Sequence, residues 1–426
     1  MDRDAIEQSN ASAIDVHRRD FEVLAEQLAR RGVDVERIVT DVRGFEVAVP
    51  SWALGTGGTR FGRFPGAGEP RDVYEKFDDI AVIHGLTGAT PRVSLHIPWD
   101  APEDLAALRD HAAALGLGFD AVNSNTFQDQ PGQARSYKFG SFSHTDAGVR
   151  EQAVAHHLAV IEIGEALGSN AITVWLADGG NYPGQMHLRR SFDRVLECLQ
   201  RVCARLPADW RLFTEHKPYE PAFYATVVQD WGSSYLLAQA LGPRVACLVD
   251  LGHHLPNTNI ELVVARLIGA GKLGGFHFND AKYGDDDLTA GSIRPYQLFL
   301  VFNELVDAAA DSLAASDPAY MIDQSHNVKD PIEALLQTVD QLQRAYAKAL
   351  LIDRTGLGHY QATNDVLMAE STLQRAFETD VSAIIAEARL RNGGALEPIA
   401  AFRESGYRTQ MRDERSAVAY APPQSL

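Results

Sequence analysis

The sequence has few cysteines, no long apolar run and no excess of positive charge. Its three cysteines, Cys198, Cys203 and Cys247, lack a metal-binding spacing, and we interpret them as reduced thiols of a cytoplasmic protein. The N-terminus has no apolar core for a signal peptide, and no run is long enough to cross a membrane. A net charge of -18 disfavours nucleic acid as a partner, because phosphates would be repelled.

Eight short runs of strand-forming residues recur along the 426-residue chain, and segments with helical periodicity separate most of them. The runs are 45–52, 92–99, 117–125, 171–178, 211–218, 244–252, 273–280 and 319–326. Eight alternations of strand and helix predict an α/β protein with a (β/α)8 TIM barrel, because doubly wound sheets rarely contain so many units.

The predicted barrel spans 45–350 and leaves a segment at each end. Residues 1–44 form an N-terminal helical segment, with an amphipathic helix near 16–31. Residues 351–426 form a C-terminal helical extension and a tail, whose helical part would pack outside the barrel or against another subunit. The predicted fold is therefore a barrel with extra helices at both ends.

Most of these runs begin with apolar residues and become polar toward their C-terminal ends. Side chains from all eight strands converge at that rim of a TIM barrel, where the chemistry of such enzymes occurs. Polar residues could also simply mark the ends of strands, but this explanation fits the whole set poorly. The polar ends include His96, Trp175, Glu215, Lys217, Asp250, His277, Asn279, Asp323 and Ser325.

Four of these residues predict a metal site. Glu215, Asp250, His277 and Asp323 come from the last four predicted strands, which are neighbours in a barrel. Three carboxylates that converge beside an imidazole would repel one another and resist burial without a cation. A divalent ion would turn them into a compact site of oxygen and nitrogen ligands.

A second ion fits beside the first, at the motifs "DLGHH" and "GDDDL". Asp250 would bridge both ions, while Asp285 and Asp287 would point the same way and Asp286 would face water. The spacing does not choose between His253 and His254, and an exposed acidic loop is the alternative for the three aspartates. Carboxylate-rich sites without thiolates favour Mn²⁺, Mg²⁺ or Co²⁺ over structural zinc.

Two long loops are also to be considered. The glycine-rich stretch "LGTGGTRFGRFPGAG" lacks the lysine and helix start of a phosphate-binding loop, and we interpret it as a subunit-bridging loop. The loop 126–147 is either a cover over the site or a surface excursion.

The alternative functions are a ketose epimerase on the same barrel and a non-catalytic barrel that binds a sugar or a cation.

Long blocks of the sequence resemble the L-rhamnose isomerases of the bacterial, broad-specificity type. They include "SWALGTGGTRFGRFPG", "SLHIPWD", "TVWLADGGNYPGQ", "EHKPYEPAFYATVVQDWG", "LVDLGHHLPNTNIE", "GGFHFNDAKYGDDDL" and "MIDQSHNVKDPIE", and the likeness covers nearly the whole chain. The D-x-x-H spacing from Asp250 to His253 is also similar to that of the xylose isomerases. The resemblance implies a homotetrameric aldose–ketose isomerase with two divalent ions per subunit, typically Mn²⁺.

The resemblance also implies roles for particular residues. Glu215, Asp250, His277 and Asp323 would hold one ion, and Asp250, His253, Asp285 and Asp287 the other. Trp52, His96, Trp175, Lys217 and Ser325 would contact the sugar, and Phe61 would reach a neighbouring subunit's site. The two-ion set suggests a 1,2-hydride shift, with Asp323 or His96 assisting ring opening and Lys217 stabilising negative charge. A cis-enediol route is the alternative.

Overall fold

The computed structural model describes residues 3–55, 66–310, 317–325 and 328–415. Phe61 and the tail 416–426 lie outside these residues. No helix within the described residues has the length and apolarity needed to cross a bilayer.

All eight predicted strands contain observed strands, and two of them are interrupted once. The barrel strands are β1 (Val49–Pro50), β2 (Arg92–Ser94), β3 (His96–Ile97), β4 (Gly118–Phe119), β5 (Val122–Ser124), β6 (Ala171–Trp175), β8 (Arg211–Glu215), β10 (Val245–Asp250), β11 (Leu273–Phe278) and β12 (Ala319–Ile322). The pairs β2/β3 and β4/β5 each form one barrel strand. Two short strands, β7 (Gly179–Gly180) and β9 (Ala225–Thr226), pair antiparallel above the rim and were not predicted.

Hydrogen bonds join the strands into a closed ring. One parallel sheet has the order β12-β11-β10-β8-β6-β5-β3, and a second has the order β1-β2-β4. Ala48 closes the ring between β1 and β12, because its N–H donates to Tyr320 O at 2.8 Å and its carbonyl accepts from Ile322 N at 3.0 Å. The fold is therefore the predicted TIM barrel, with the strands in chain order around it.

Helices cover the barrel and extend beyond it at both ends. Those of the barrel are α3 (Val73–Thr87), α4 (Leu105–Ala114), α5 (Ala147–Leu167), α6 (Leu188–Cys203), α7 (Trp231–Leu241), α8 (Ile260–Gly269), α9 (Pro295–Ala310) and α10 (Pro331–Leu350). The flanking helices are α1 (Arg3–Ala29), α2 (Val35–Arg43), α11 (Arg354–Thr363), α12 (Val366–Glu378), α13 (Ser382–Arg391), α14 (Pro398–Glu404) and α15 (Tyr407–Glu414). The helix expected near 16–31 begins earlier, at Arg3. Ile6 is the buried residue of its otherwise polar first turns.

Successive side chains of a strand point alternately into the barrel and toward the covering helices, so the core has two parts. Small and apolar side chains fill the barrel centre as one buried cluster, formed by Ala48, Ala121, Ala171, Phe213, Leu248 and Met321. Phe276 and Phe278 of β11 point to the other face, as predicted, and Phe278 stacks on Phe302 of α9 with ring centroids 5.6 Å apart. His277 between them therefore points into the barrel mouth.

Candidate active site

A cavity of about 470 Å³ opens at the C-terminal ends of the barrel strands. Most of the predicted site residues line it: Trp52, His96, Trp175, Glu215, Lys217, His253, His277, Asp285, Asp287, Asp323 and Ser325. Asp250 lies beneath them with no exposed surface. The structure thus brings the predicted residues together at one end of the barrel.

The first ligand cluster consists of Glu215, Asp250, His277 and Asp323, which lie at or next to the C-terminal ends of β8, β10, β11 and β12. One ligand atom from each lies within 4.8 Å of all the others. His277 Nδ1 lies 3.1 Å from Glu215 Oε1, 3.4 Å from Asp323 Oδ2 and 3.8 Å from Asp250 Oδ2. Three oxygens around one imidazole nitrogen form the donor set predicted for a divalent ion.

The second ligand cluster consists of Asp250, His253 and Asp285, again within 4.8 Å of one another. His253 Nε2 lies 3.1 Å from Asp285 Oδ1, and Lys217 Nζ contacts the other oxygen of Asp285. Of the two histidines that the spacing left open, His253 faces the site, whereas His254 packs edge-on against His216. Asp250 belongs to both clusters, as expected of a bridging ligand.

Two of the three consecutive aspartates line the cavity together. Asp285 enters the second ligand cluster, and its carboxylate is hydrogen-bonded to that of Asp287, whose Oδ2 also lies 3.4 Å from Ser325 Oγ. Asp286, which was expected to face water, is partly exposed, and its Oδ2 accepts hydrogen bonds from the backbone N–H groups of Lys282 and Tyr283. A short loop offers these local donors, so the carboxylate turns back on its own backbone.

Local hydrogen bonds fix the carboxylate shared by the two clusters. Asp250 Oδ1 accepts from Gly252 N at 2.7 Å and from His253 N at 3.1 Å. Asn279, two residues after His277 and on the same strand face, donates through Nδ2 to both oxygens at 3.0 and 3.1 Å. Asp250 is therefore held rigidly before any ion binds. Sequence alternation placed Asn279 on this face but did not indicate its partner.

The carboxylates of the two clusters raise the pKa of both imidazoles. Burial opposes a charge on His277, but Glu215 and Asp323 overcome it and raise the pKa of His277 to about 9. Burial also opposes a charge on His253, but Asp250 and Asp285 overcome it and hold the pKa of His253 well above its ordinary value. Burial raises the pKa of Asp250 to about 7. A group of buried carboxylates that needs imidazolium partners is suited to bind cations.

Aromatic rings form one wall of the cavity. His96 stacks on Trp99 with centroids 3.8 Å apart, and Phe127 packs against Trp175 at 4.6 Å. Burial among these rings lowers the pKa of His96 to about 3, and Asp100 only partly opposes this. The His96 ring is therefore neutral at physiological pH and can donate or accept a hydrogen bond. Sequence reasoning missed Trp99 and Phe127 as wall residues.

A buried carboxylate behind this wall was also missed. Asp100 is 3% exposed and accepts a hydrogen bond of 2.6 Å from Ser51 Oγ and one of 3.3 Å from His96 N. Lys76 of α3 pairs with it at 2.6 Å. Because Ser51 begins the turn that carries Trp52, this one carboxylate connects the supports of Trp52 and His96. The "HIPWD" motif contained Asp100, but no spacing indicated its partners.

The loop 126–147 contributes to the cavity through Phe127 and Gln128. Its later part is tied down by Asp178 after β6, which accepts hydrogen bonds from Ser141 N, Ser141 Oγ and Ser143 N at 2.7–2.8 Å. Asp178 therefore anchors this loop and does not enter the ligand clusters. The start of the loop therefore forms part of the cavity wall, while its later part is held against Asp178.

A parallel barrel with buried carboxylates and imidazoles at its C-terminal mouth defines a class of metal-dependent TIM-barrel proteins. Residues 79–304 match the family model of the xylose isomerase-like TIM barrel, and the chain belongs to that family. A protein of Rhizobium meliloti (strain 1021) named as a probable sugar isomerase is 61% identical over 414 residues, covering 97% of this chain and 96% of the relative.

Two further comparisons are more distant. The xylose isomerase of Thermus thermophilus is 30% identical over 243 residues, which cover 52% of this chain and 60% of the relative. The solved structure of an L-ribulose 3-epimerase superposes with a TM-score of 0.50 over 78% of this chain and 97% of that chain. At 13% identity, this second likeness shows the fold alone.

Proposed function

We propose that the protein is a metal-dependent aldose–ketose isomerase that converts L-rhamnose to L-rhamnulose and accepts other aldoses. The observation that carries the proposal is the pair of ligand clusters sharing Asp250 at the floor of a sugar-sized cavity. The family and the likeness to a probable sugar isomerase support the same class of reaction.

Glu215, Asp250, His277 and Asp323 would hold one divalent ion, and Asp250, His253, Asp285 and Asp287 the second. When bound, two such ions polarise neighbouring oxygens of an open-chain sugar and stabilise the charge that moves between them. The ligand set favours Mn²⁺, with Co²⁺ or Mg²⁺ as alternatives. The carboxylate of Asp287 lies beside this second set, because it is hydrogen-bonded to that of Asp285.

The other residues of the cavity would bind and orient the sugar. Lys217 is 2% exposed, and its ammonium lies 4.8 Å above the Trp175 ring, where it stabilises negative charge on a substrate oxygen. Neutral His96 or Asp323 moves the proton during ring opening. The rings of Trp52, Trp175 and Phe127 exclude water from the reacting carbons.

The second ligand cluster favours isomerisation over ketose epimerisation. A metal-dependent epimerase needs one ion and two opposed acid–base groups, whereas His253 and Asp285 supply a second set of ligands beside the first. A binding protein without turnover needs neither a buried lysine nor an uncharged imidazole beside the ligands.

The proposal also includes the oligomeric state and the cellular location of the protein. The resemblance supports a homotetramer, in which Phe61 of each subunit would reach a neighbouring site. Free cysteines and a net charge of -18 support a cytoplasmic enzyme that acts on a small sugar and binds neither nucleic acid nor membranes.

A ketose assay tests the function directly. Protein treated with EDTA and dialysed is incubated with L-rhamnose, mannose, allose or lyxose, with and without Mn²⁺, and kcat/KM is compared across the sugars. The proposal predicts metal-dependent formation of ketose, with L-rhamnose the best substrate. In a parallel incubation that starts from a ketose, conversion to another ketose without aldose would indicate an epimerase, and no metal-dependent conversion in either incubation would indicate a binding protein.

A further inference from the structure

The loop between β11 and α9 carries two of the proposed ligands and is closed at its base. Asp280 and Leu288 exchange two backbone hydrogen bonds of 2.9 Å, which join the ends of the loop. The Asp280 side chain, 4% exposed, accepts from Ile293 N at 2.7 Å and from Arg294 N at 2.9 Å. The base of the loop is therefore fixed to the barrel and to the start of α9.

Asp286 organises the tip of this loop. Its Oδ2 accepts hydrogen bonds of 2.5 Å from Lys282 N and 2.8 Å from Tyr283 N, and its own N–H donates to Gly284 O at 2.8 Å. These bonds fold the tip into a tight turn that sets the direction of the residue before Asp286 and of the residue after it. Asp287 then adopts a left-handed backbone conformation with φ of 48°.

The tip rests on Tyr219, which follows Lys217 after β8. Tyr219 Oη donates to Tyr283 O at 3.3 Å. Gly284 lies so close that a Cβ atom there would be 1.6 Å from Tyr219 Oη. The turn made by Asp286 thus fits a surface of the barrel rim, and in this position Asp285 reaches both Lys217 and His253.

We infer that Asp286 is a positioning residue for the second ligand cluster. It acts through its acceptor oxygen, which holds the turn and thereby places Asp285 beside His253. Its negative charge is not needed for this role. Without the acceptor, solvent can satisfy the two N–H groups, so the fold survives, but the turn that places Asp285 beside His253 is no longer held. The inference rests on the proposed two-ion function and adds a residue that contacts neither substrate nor ion.

Mn²⁺ titration of EDTA-treated, full-length protein, followed by the paramagnetic resonance signal of the free ion, tests the inference. Asp286→Ala should weaken one of two sites about 10–100-fold, the usual effect of losing an outer partner of a ligand. Its isotherm should match that of His253→Gln and differ from that of Asp323→Asn. Asp286→Asn keeps an acceptor oxygen and should bind both ions as wild type does.

Asp365→Ala is the matched control, since Asp365 is an exposed aspartate that accepts from Met368 N at 3.2 Å on α12, away from the site. Asp286→Ala should lose no more thermal stability than this control. Equal weakening of both sites, unchanged affinities in Asp286→Ala, or an Asn variant as weak as the Ala variant would each overturn the inference.

Hydrogen–deuterium exchange of the metal-free protein separates this inference from the proposed function. Faster exchange at 282–283 in Asp286→Ala, but not in Asp286→Asn, supports the role of Asp286 in the loop. Unchanged exchange overturns it. If the wild-type protein binds fewer than two ions, the two-ion function fails whatever the exchange shows, and with it the claim about the second ligand cluster.

Discussion

Trp52 Nε1 donates a hydrogen bond of 2.7 Å to Oδ1 of Asp323, while Oδ2 of the same carboxylate faces His277 at 3.4 Å. One oxygen of Asp323 is thus held by the indole, and the other is directed into the first ligand cluster. A turn at the start of the barrel therefore orients a ligand at its last strand.

Trp52→Phe keeps an aromatic ring and removes this donor. Loss of a hydrogen bond to a charged acceptor costs about 2 kcal/mol, and we expect kcat to fall about thirtyfold. The measurement is kcat and KM for the best sugar, together with Mn²⁺ affinity. Asp323→Asn should be more severe, abolishing turnover and weakening the first ion. Equal kcat values for Trp52→Phe and wild type would show that the indole does not orient Asp323.

Ser51→Ala tests the support of Trp52 and His96 by Asp100. Removing the 2.6 Å hydrogen bond from Ser51 Oγ frees the turn that carries Trp52, so we expect kcat to fall by about tenfold, the effect of about 1.4 kcal/mol. Ser169→Ala is the control, because Ser169 is also buried and donates at 2.7 Å to Asp120 O at the opposite end of the barrel. A similar loss of kcat in both variants would assign the effect to stability alone.

Isomerisation in deuterated water distinguishes the two routes of hydrogen transfer. The two adjoining ligand clusters favour a direct hydride shift, because two ions can stabilise the charge that moves between neighbouring oxygens, so we expect no deuterium at carbon in the product. Mass spectrometry of the ketose gives the answer. Substantial incorporation at C1 would instead support a cis-enediol that exchanges its proton with solvent.

The buried His157 of α5 should make the protein sensitive to acid. Burial lowers the pKa of His157 to about 3 from an ordinary value of 6.5, so the unfolded chain binds this proton at a higher pH than the native state does. The contribution of neutral His157 to the free energy of unfolding is fully present above pH 6.5. It falls by about 1.4 kcal/mol per pH unit as the pH drops toward 3.

His157→Gln should remove that contribution and flatten the dependence. The measurement is the free energy of unfolding in urea at several pH values between 6.5 and 4.5. The control is His359→Gln, on the exposed surface of α11, which should leave the slope as it is in the wild type. An unchanged slope in His157→Gln would show that this histidine is protonated in the native state.

The barrel could be predicted because its signals are local and repeated. Each strand is a short apolar run followed by a helix, and residues such as Glu215 and His277 stand at the polar ends of these runs. Closeness of the ligands followed from the convergence of parallel strands. The helix α2 was missed because its nine residues form little more than two turns.

Contacts that depend on packing could not be predicted. Ser51 and Asp100 are 49 residues apart and meet only because two loops cross. The role of Asp286 depends on backbone donors in a turn without periodicity. Asp287 matched the ligand pattern, but its left-handed backbone conformation is not indicated by that pattern. The conformations of short loops therefore determine these side-chain contacts, which the pattern of strands does not indicate.

The attachment of the loop 126–147 to Asp178 has a consequence for how the enzyme can change during evolution. Three hydrogen bonds anchor the region of Ser141 and Ser143, while Phe127 and Gln128, at the start of the loop, line the cavity. Substitutions at Phe127 and Gln128 can reshape this wall of the cavity without replacing any of the proposed ion ligands. New sugar preferences can therefore arise on this scaffold by exchanging a few residues of one wall.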